Sequence, residues 1–277
     1  MATDILKLAA FSDGDQGGNP AGVWIGEALP EEQVMQQIAA EVGFSETAFA
    51  APVDDGWRVR YFSPLAEVPF CGHATIALGA ALAARQGDGV FSLTLNHAQI
   101  TVEGHAQGLL TSAALQSPAT HSKPVSAQVL DEALALFDYT HDDLDQRIPP
   151  AHINGGAGHL ILALNSRAGL KAMHYDQQTG HKLMVREGWA TILLAYAERE
   201  QLFHTRNPFA FGGVYEDPAT GAATAALGGY LRDIGWPHGG MIDVLQGEDM
   251  GSRSRLRAEI PEQIGSSIRV SGMARRL

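Results

Sequence analysis

Two stretches of this chain, residues 76–84 and 222–231, consist almost wholly of small and apolar residues on every face, with no charged side chain until Arg85 and Arg232 near their ends. A helix that is apolar all round is buried rather than surface-lying. Each therefore needs a tube of strands around it, and the remaining hydrophobic pattern supplies one. Short apolar or alternating runs predict strands at 6–11, 21–25, 44–50 and 57–62 before the first buried helix, and at 90–95, 99–102 and 108–115 after it. Further runs at 148–153, 159–164, 190–195 and 202–207 precede the second, with 241–246 and 254–260 following and 268–273 returning to the first half. Residues 31–41 predict an amphipathic helix with Val34, Ile38 and Val42 on one face, and 126–137 another with Ser126 as N-cap. A third helix is predicted near 167–178. Gly87-Asp88-Gly89 ends the first buried helix. The order predicts an α+β protein of two pseudo-symmetric halves, each a strand barrel around a central buried helix: 1–116 rejoined by 265–277, and 125–264, with 117–124 as linker. A plain two-domain α+β protein is the alternative architecture.

Each buried helix is entered through a similar turn, Glu67-Val68-Pro69-Phe70-Cys71-Gly72-His73-Ala74-Thr75 and Glu216-Asp217-Pro218-Ala219-Thr220-Gly221-Ala222-Ala223. Laying Cys71 on Pro218 places Ala74 on Gly221, Arg85 on Arg232 and Phe62 on Phe209. The unpaired N–H groups and positive dipole end of a helix N-terminus bind anions. Two such ends facing each other would hold a small carboxylate.

Composition narrows the partners. The 277 residues suffice for one large or two ordinary domains, and the 31 acidic against 19 basic residues give a net charge of −12. Nucleic acid and anionic membrane are unexpected partners for such a surface. The start of the chain lacks a basic then apolar leader pattern, and no apolar run reaches the roughly 20 residues of a spanning helix, so a cytoplasmic location is expected. The single cysteine, Cys71, excludes an internal disulfide. The 11 histidines form no His-x-His or His-Glu-x-x-His pattern, the Asp142-Asp143-x-Asp145 run lacks a calcium loop's glycine and distal Glu, and Gly155-Gly156-Ala157-Gly158 precedes a predicted strand. Neither a metal nor a nucleotide cofactor is expected.

Five motifs in order, Gly18-Asn19-Pro20-Ala21-Gly22, Phe44-Ser45-Glu46-Thr47-Ala48-Phe49, Cys71-Gly72-His73-Ala74-Thr75, Glu216-Asp217-Pro218-Ala219-Thr220-Gly221 and Gln246-Gly247-Glu248-Asp249-Met250-Gly251, carry a resemblance from Phe11 to about Ile268. The chain resembles the phenazine-biosynthesis PhzF-like family, relatives of diaminopimelate epimerase. The resemblance implies the diaminopimelate epimerase-like fold, a homodimer, and a cofactor-independent isomerase acting on a small carboxylate in the cleft between the halves. It implies that Glu46 is the acid/base that takes a proton from one substrate carbon and returns it to another, with His73 and Asp217 as further catalytic residues. Ser45, Gly72, Thr220, Gly221 and Ala222 are the implied substrate-binding residues.

The residues themselves admit blander roles. Glu46 reads equally as a solvated strand-end residue, Asp217 as a helix N-cap and His73 as a packed imidazole. The epimerase relatives use two opposed cysteines; Pro218, laid on Cys71, cannot ionise, so a two-thiol reaction is excluded and Cys71 reads as a small packed residue. The phenazine-pathway isomerases carry Ser where this chain has Ala222, which points to a different substrate. A non-catalytic protein binding a small carboxylate on the same fold is the alternative function.

Overall fold

The computed structural model describes residues 5–108 and 110–277; residues 1–4, and Leu109 within the strand predicted at 108–115, lie outside the described residues. The chain divides into two compact units, Met1–Gln116 with Ser271–Leu277, and Ser117–Val270. It is an α+β protein rich in strands.

The first unit runs β1 (Leu6–Ser12), β2 (Asn19–Ile25), α1 (Glu32–Val42), β3 (Glu46–Val53), β4 (Gly56–Phe62), β5 (Glu67–Val68), α2 (Gly72–Gln86), β6 (Gly89–Thr94), β7 (Gln99–Gln107) and β8 (Leu110–Ala119). Its strands follow the order β1-β2-β3-β4-β6-β7-β8, with β2/β3 and β4/β6 parallel and the other pairs antiparallel. α2 packs on β7, β2, β1 and β3, and every residue from Gly72 to Ala83 is buried. The close approach is a glycine contact: a Cβ on Gly104 of β7 would sit 2.4 Å from the Gly79 carbonyl of α2. α1 covers a separate apolar cluster of Trp24, Met35, Ala39, Phe49 and Phe62.

The second unit contains β9 (His121–Pro124), α3 (Ala127–Leu136), β10 (Ala151–Asn154), β11 (Gly158–Ala163), α4 (Arg167–Lys171), α5 (Gln177–Glu187), β12 (Thr191–Arg199), β13 (Leu202–Pro208), β14 (Glu216–Asp217), α6 (Gly221–Asp233), β15 (Met241–Gln246) and β16 (Ser254–Glu259). The strand order β10-β11-β12-β13-β15-β16 repeats the alternation of the first unit, with β11/β12 and β13/β15 parallel. α6 packs on β10, β16, β9 and β11, and all of its residues from Ala223 to Arg232 are buried. Ser126 caps α3 by accepting from the Val129 N–H, as its position predicts. The final strand, β17 (Ser267–Arg276), pairs antiparallel with β1.

Three expectations change. Residues 117–124, read as a linker, are mostly strand, with Ser117 and Thr120 buried. The helix predicted at 167–178 is two helices, because Tyr175 leaves the helical path to stack on Tyr215 and donate to its carbonyl, and Asp176 caps the next helix by accepting from Thr179. The register of the repeat is also different. α2 starts at Gly72 and α6 at Gly221, and the two-residue strands before them start at Glu67 and Glu216, so Cys71 corresponds to Thr220 rather than Pro218. Thr75 then matches Thr224, His73 matches Ala222, and the Arg85/Arg232 match dissolves. Arg85 is exposed, whereas Arg232 is buried and bonded to Thr120 and Ser266.

Candidate active site

In the first unit, Glu46, Cys71 and His73 are brought together. α1 ends at Gly43 in the left-handed region, φ +71°, and the turn that follows delivers Glu46 as the first residue of β3, opposite Ala21 of β2. Its side chain is buried, and Oε2 accepts no hydrogen bond among the described residues. His73 Nε2 lies 3.4 Å from that oxygen and 3.3 Å from Ser45 Oγ, while Nδ1 lies 3.3 Å from Cys71 Sγ. The imidazole thus bridges the thiol and the carboxylate. A buried carboxylate costs free energy unless a charge or donor meets it. Here one oxygen has no donor of its own and lies beside an imidazole, with the Cys71 thiol within 4.8 Å, an arrangement open to proton transfer.

The turn holding Cys71 and His73 is itself held. Cys71, extended at φ −143°, occupies the N-cap position of α2 without a side-chain cap. Thr75 Oγ1 donates to the Cys71 carbonyl at 2.7 Å, so the Tyr61 hydroxyl, 2.7 Å away, donates to Thr75. Burial raises the Tyr61 phenol well above its ordinary pKa, which keeps that donor in place. Ahead of the turn, Arg60 Nε and Nη2 grip the two Glu67 oxygens at 2.7 and 2.6 Å, and the guanidinium holds the Glu67 carboxyl below the usual carboxylate range.

The second unit has its own polar group around the start of α6. Asp217 is buried, and its Oδ2 accepts from Thr220 Oγ1 at 2.5 Å. The N-cap position, one alternative read for Asp217, is held by Thr220, whose side chain makes no cap hydrogen bond. Gln246 clamps the turn: its Oε1 accepts the Thr220 N–H at 3.0 Å, and its Nε2 donates to the Asp217 carbonyl at 2.7 Å and lies 2.9 Å from Thr220 Oγ1. The Thr220 N–H is therefore committed within the protein, and the helix N–H groups of the first turn, beginning at Gly221 and Ala222, are the ones with no partner inside the helix. Gly247, at φ +73°, allows the clamp, since a Cβ there would meet the Ser252 carbonyl at 2.3 Å and the Pro218 carbonyl at 2.8 Å.

Sequence reasoning missed Gln246 as a working residue, although its motif was visible. It also missed a buried chain behind Asp217. Thr191 Oγ1 donates to Asn207 Oδ1 at 2.9 Å, so the His159 Nδ1–H, 2.8 Å from the same Oγ1, is the donor there. Burial pushes the His159 pKa down to about 3, and the ring stays neutral. Asn207 is the register partner of Asp217. By the repeat, Thr191 occupies in the second unit the place Glu46 has in the first: Phe49 faces Arg60 and Leu194 faces Arg206, three residues on from Glu46 and Thr191. Arg206 repeats Arg60, binding Glu216 at 3.0 and 2.5 Å, and also donates to the carbonyls of Leu170, Lys171 and Met173.

The two units share a plan but differ in chemistry. The first carries Glu46, Cys71 and His73 where the second carries Thr191, Thr220 and Ala222. An ionisable thiol has no counterpart at either Pro218 or Thr220, so the exclusion of two-thiol chemistry stands on a different residue from the one expected.

A repeated α+β fold of this kind, each half a set of strands packed on a buried helix, is of the diaminopimelate epimerase-like class. Residues 8–276 match the phenazine biosynthesis-like protein (PhzC-PhzF) family, and the chain belongs to that family. Among curated relatives, the trans-2,3-dihydro-3-hydroxyanthranilate isomerase of Pseudomonas aeruginosa is 31% identical over 277 residues, covering 96% of this chain and 94% of that one. An uncharacterized isomerase of the same organism, PA3578, is 30% identical over 231 residues, covering 82% and 80%. The solved PhzF-family protein of Bacillus anthracis superposes with a TM-score of 0.85 at 23% identity, covering 99% of this chain and 96% of that one. A hydroxyproline epimerase of Agrobacterium vitis shares the fold with a TM-score of 0.67 at 11% identity, covering 99% and 88%.

Proposed function

We propose that this PhzF-like family member is a cofactor-independent isomerase that moves a proton between carbons of a small carboxylate substrate, with Glu46 as acid/base. The observation that supports it most is the buried Glu46 carboxylate, one oxygen uncommitted and 3.4 Å from His73 Nε2. His73 steadies or relays the proton, and Ser45 and the α2 N–H groups at Gly72 and His73 contact the substrate. On this reading Asp217, Thr220, Gly221 and Ala222 are further catalytic and substrate-binding residues, with Gln246 positioning their turn. Ala222 in place of a serine points away from the phenazine precursor toward a related acid.

The test is proton exchange. Cyclic and linear amino, hydroxy and unsaturated acids are incubated with the protein in heavy water, and deuterium uptake at carbon is followed by NMR. At least one should exchange, and Glu46→Gln should lower that rate by about 10²–10⁴-fold with folding unchanged. Near-normal exchange in Glu46→Gln overturns the mechanism. Tight binding of such an acid without exchange supports the second reading, a non-catalytic carboxylate-binding protein, which the Ala222 departure favours.

A further inference from the structure

The residues that would move the proton are also a metal-ligand set. One thiol, one imidazole and one carboxylate, all buried, have donor atoms within 4.8 Å of one another. Zinc bond lengths of about 2.3 Å to sulfur, 2.0–2.1 Å to imidazole nitrogen and 2.0–2.2 Å to carboxylate oxygen imply tetrahedral edges of roughly 3.4 Å for N···O and 3.6 Å for N···S. The His73 Nε2 to Glu46 Oε2 separation is 3.4 Å, and His73 Nε2 to Cys71 Sγ is 4.0 Å. The first of these equals a tetrahedral edge and the second exceeds one by about 0.4 Å, and the sulfur and the carboxylate oxygen lie within 4.8 Å of each other. A second observation points the same way: Glu46 Oε2 is buried without a hydrogen-bond donor among the described residues, a charge-bearing atom whose demand a cation would meet. Sequence spacing concealed the set, since Cys71-x-His73 takes its third ligand 25 residues upstream through the β2/β3 pairing that places Glu46.

We propose that Glu46, Cys71 and His73 bind one thiophilic divalent cation of the zinc class, through Oε2, the thiolate and Nε2, leaving a fourth position to water. The bound ion takes the carboxylate oxygen needed for proton transfer and so inhibits the isomerase, a consequence that rests on the proposed function, whereas the binding itself does not. Binding releases the Cys71 proton, since the thiolate is the ligand, and affinity therefore rises with pH. The ion enters the same site as the substrate, so a carboxylate substrate competes with it.

Cadmium, whose thiolate complexes absorb in the near ultraviolet, is the probe. Titration of the metal-free protein with Cd²⁺ alone should give a thiolate-to-metal band saturating at one equivalent, with an affinity that rises with pH because the ligands bind deprotonated. The band should vanish in Cys71→Ser and in Cys71→Ala. It should weaken by more than roughly tenfold in Glu46→Gln and in His73→Gln, the least that loss of even an outer-shell partner costs. Circular dichroism selects the variants that are folded, and either Cys71 variant and either of the other two suffice. No band in the wild type, a band surviving in a folded Cys71 variant, or undiminished affinity in both Glu46→Gln and His73→Gln overturns the site. Turnover that persists at saturating Zn²⁺ overturns the inhibition, and Cd²⁺ binding in a protein that exchanges no substrate proton leaves the site standing while the isomerase reading falls.

Discussion

The ligating atoms of Glu46, His73 and Cys71 lie within 4.8 Å of one another, although the sequence singled out Glu46 and His73 by their motifs and Cys71 as the one thiol. The burial of Glu46 is what the structure adds. Cys71 is held by backbone bonds through Thr75, and its thiol lies on His73 Nδ1, the nitrogen turned away from Glu46's contact. If the thiol only packs there, Cys71→Ala should keep turnover within about tenfold of wild type, measured as kcat/KM once a substrate is found. His159 makes a prediction about stability. Its folded pKa is about 3 against the ordinary 6.5, so between those values the unfolded chain binds the extra proton. Stability is complete above pH 6.5 and falls as the pH drops toward 3, by about 1.4 kcal/mol per pH unit for this one group. Urea midpoints of wild type and His159→Gln should therefore converge as the pH falls from 7 to 5, and parallel curves refute the neutral buried ring.

At the scale of elements, the Arg–Glu pairs ahead of α2 and α6 are the same device in two settings. Arg206 and Glu216 are nearly fully buried, with side-chain exposures of 9% and 3%, whereas Arg60 and Glu67 keep 17% and 23%. Arg206→Met strands a buried carboxylate and three carbonyls and should cost about 3–5 kcal/mol. Arg60→Met should cost about 1 kcal/mol or less, since water reaches Glu67 and Asn96 still donates to it. Chemical denaturation of both variants checks the contrast. The α2/β7 contact is as demanding: Gly104→Ala forces a Cβ against the Gly79 carbonyl and should lose about 1–3 kcal/mol by overpacking. Most strands and the buried helices were legible because apolar runs report burial directly. The break between α4 and α5 was not, because Tyr175 is diverted by Tyr215, 40 residues away, and no local pattern encodes that partner.

For the whole molecule, β17 matters out of proportion to its length. Its residues from Met273 to Arg276 pair with β1, which lies beside β2 and packs against α2, so a chain ending at Val270 strips that antiparallel ladder from β1 inside the first unit. Hydrogen exchange in β1 and α2 should accelerate strongly in that truncation while α6 amides stay protected, and equal protection throughout would refute the dependence. The repeat itself shows where sequence reading stops. The sequence by itself determined that two all-apolar helices are wrapped in strands and that a chain with one cysteine cannot supply two thiols, because composition and periodicity record burial and charge residue by residue, whereas the roles proposed for Glu46, His73 and Asp217 come from the family resemblance of their motifs. Only the tertiary structure decided the register of the repeat, Cys71 on Thr220 and His73 on Ala222, since the strand pairings that align Phe49 with Arg60 and Leu194 with Arg206 join residues far apart in the chain. It alone assembled Glu46, Cys71 and His73 into one cluster and made Gln246 the clamp of the Asp217 turn, because hydrogen bonds and contacts depend on distance in space, which spacing along the chain does not carry.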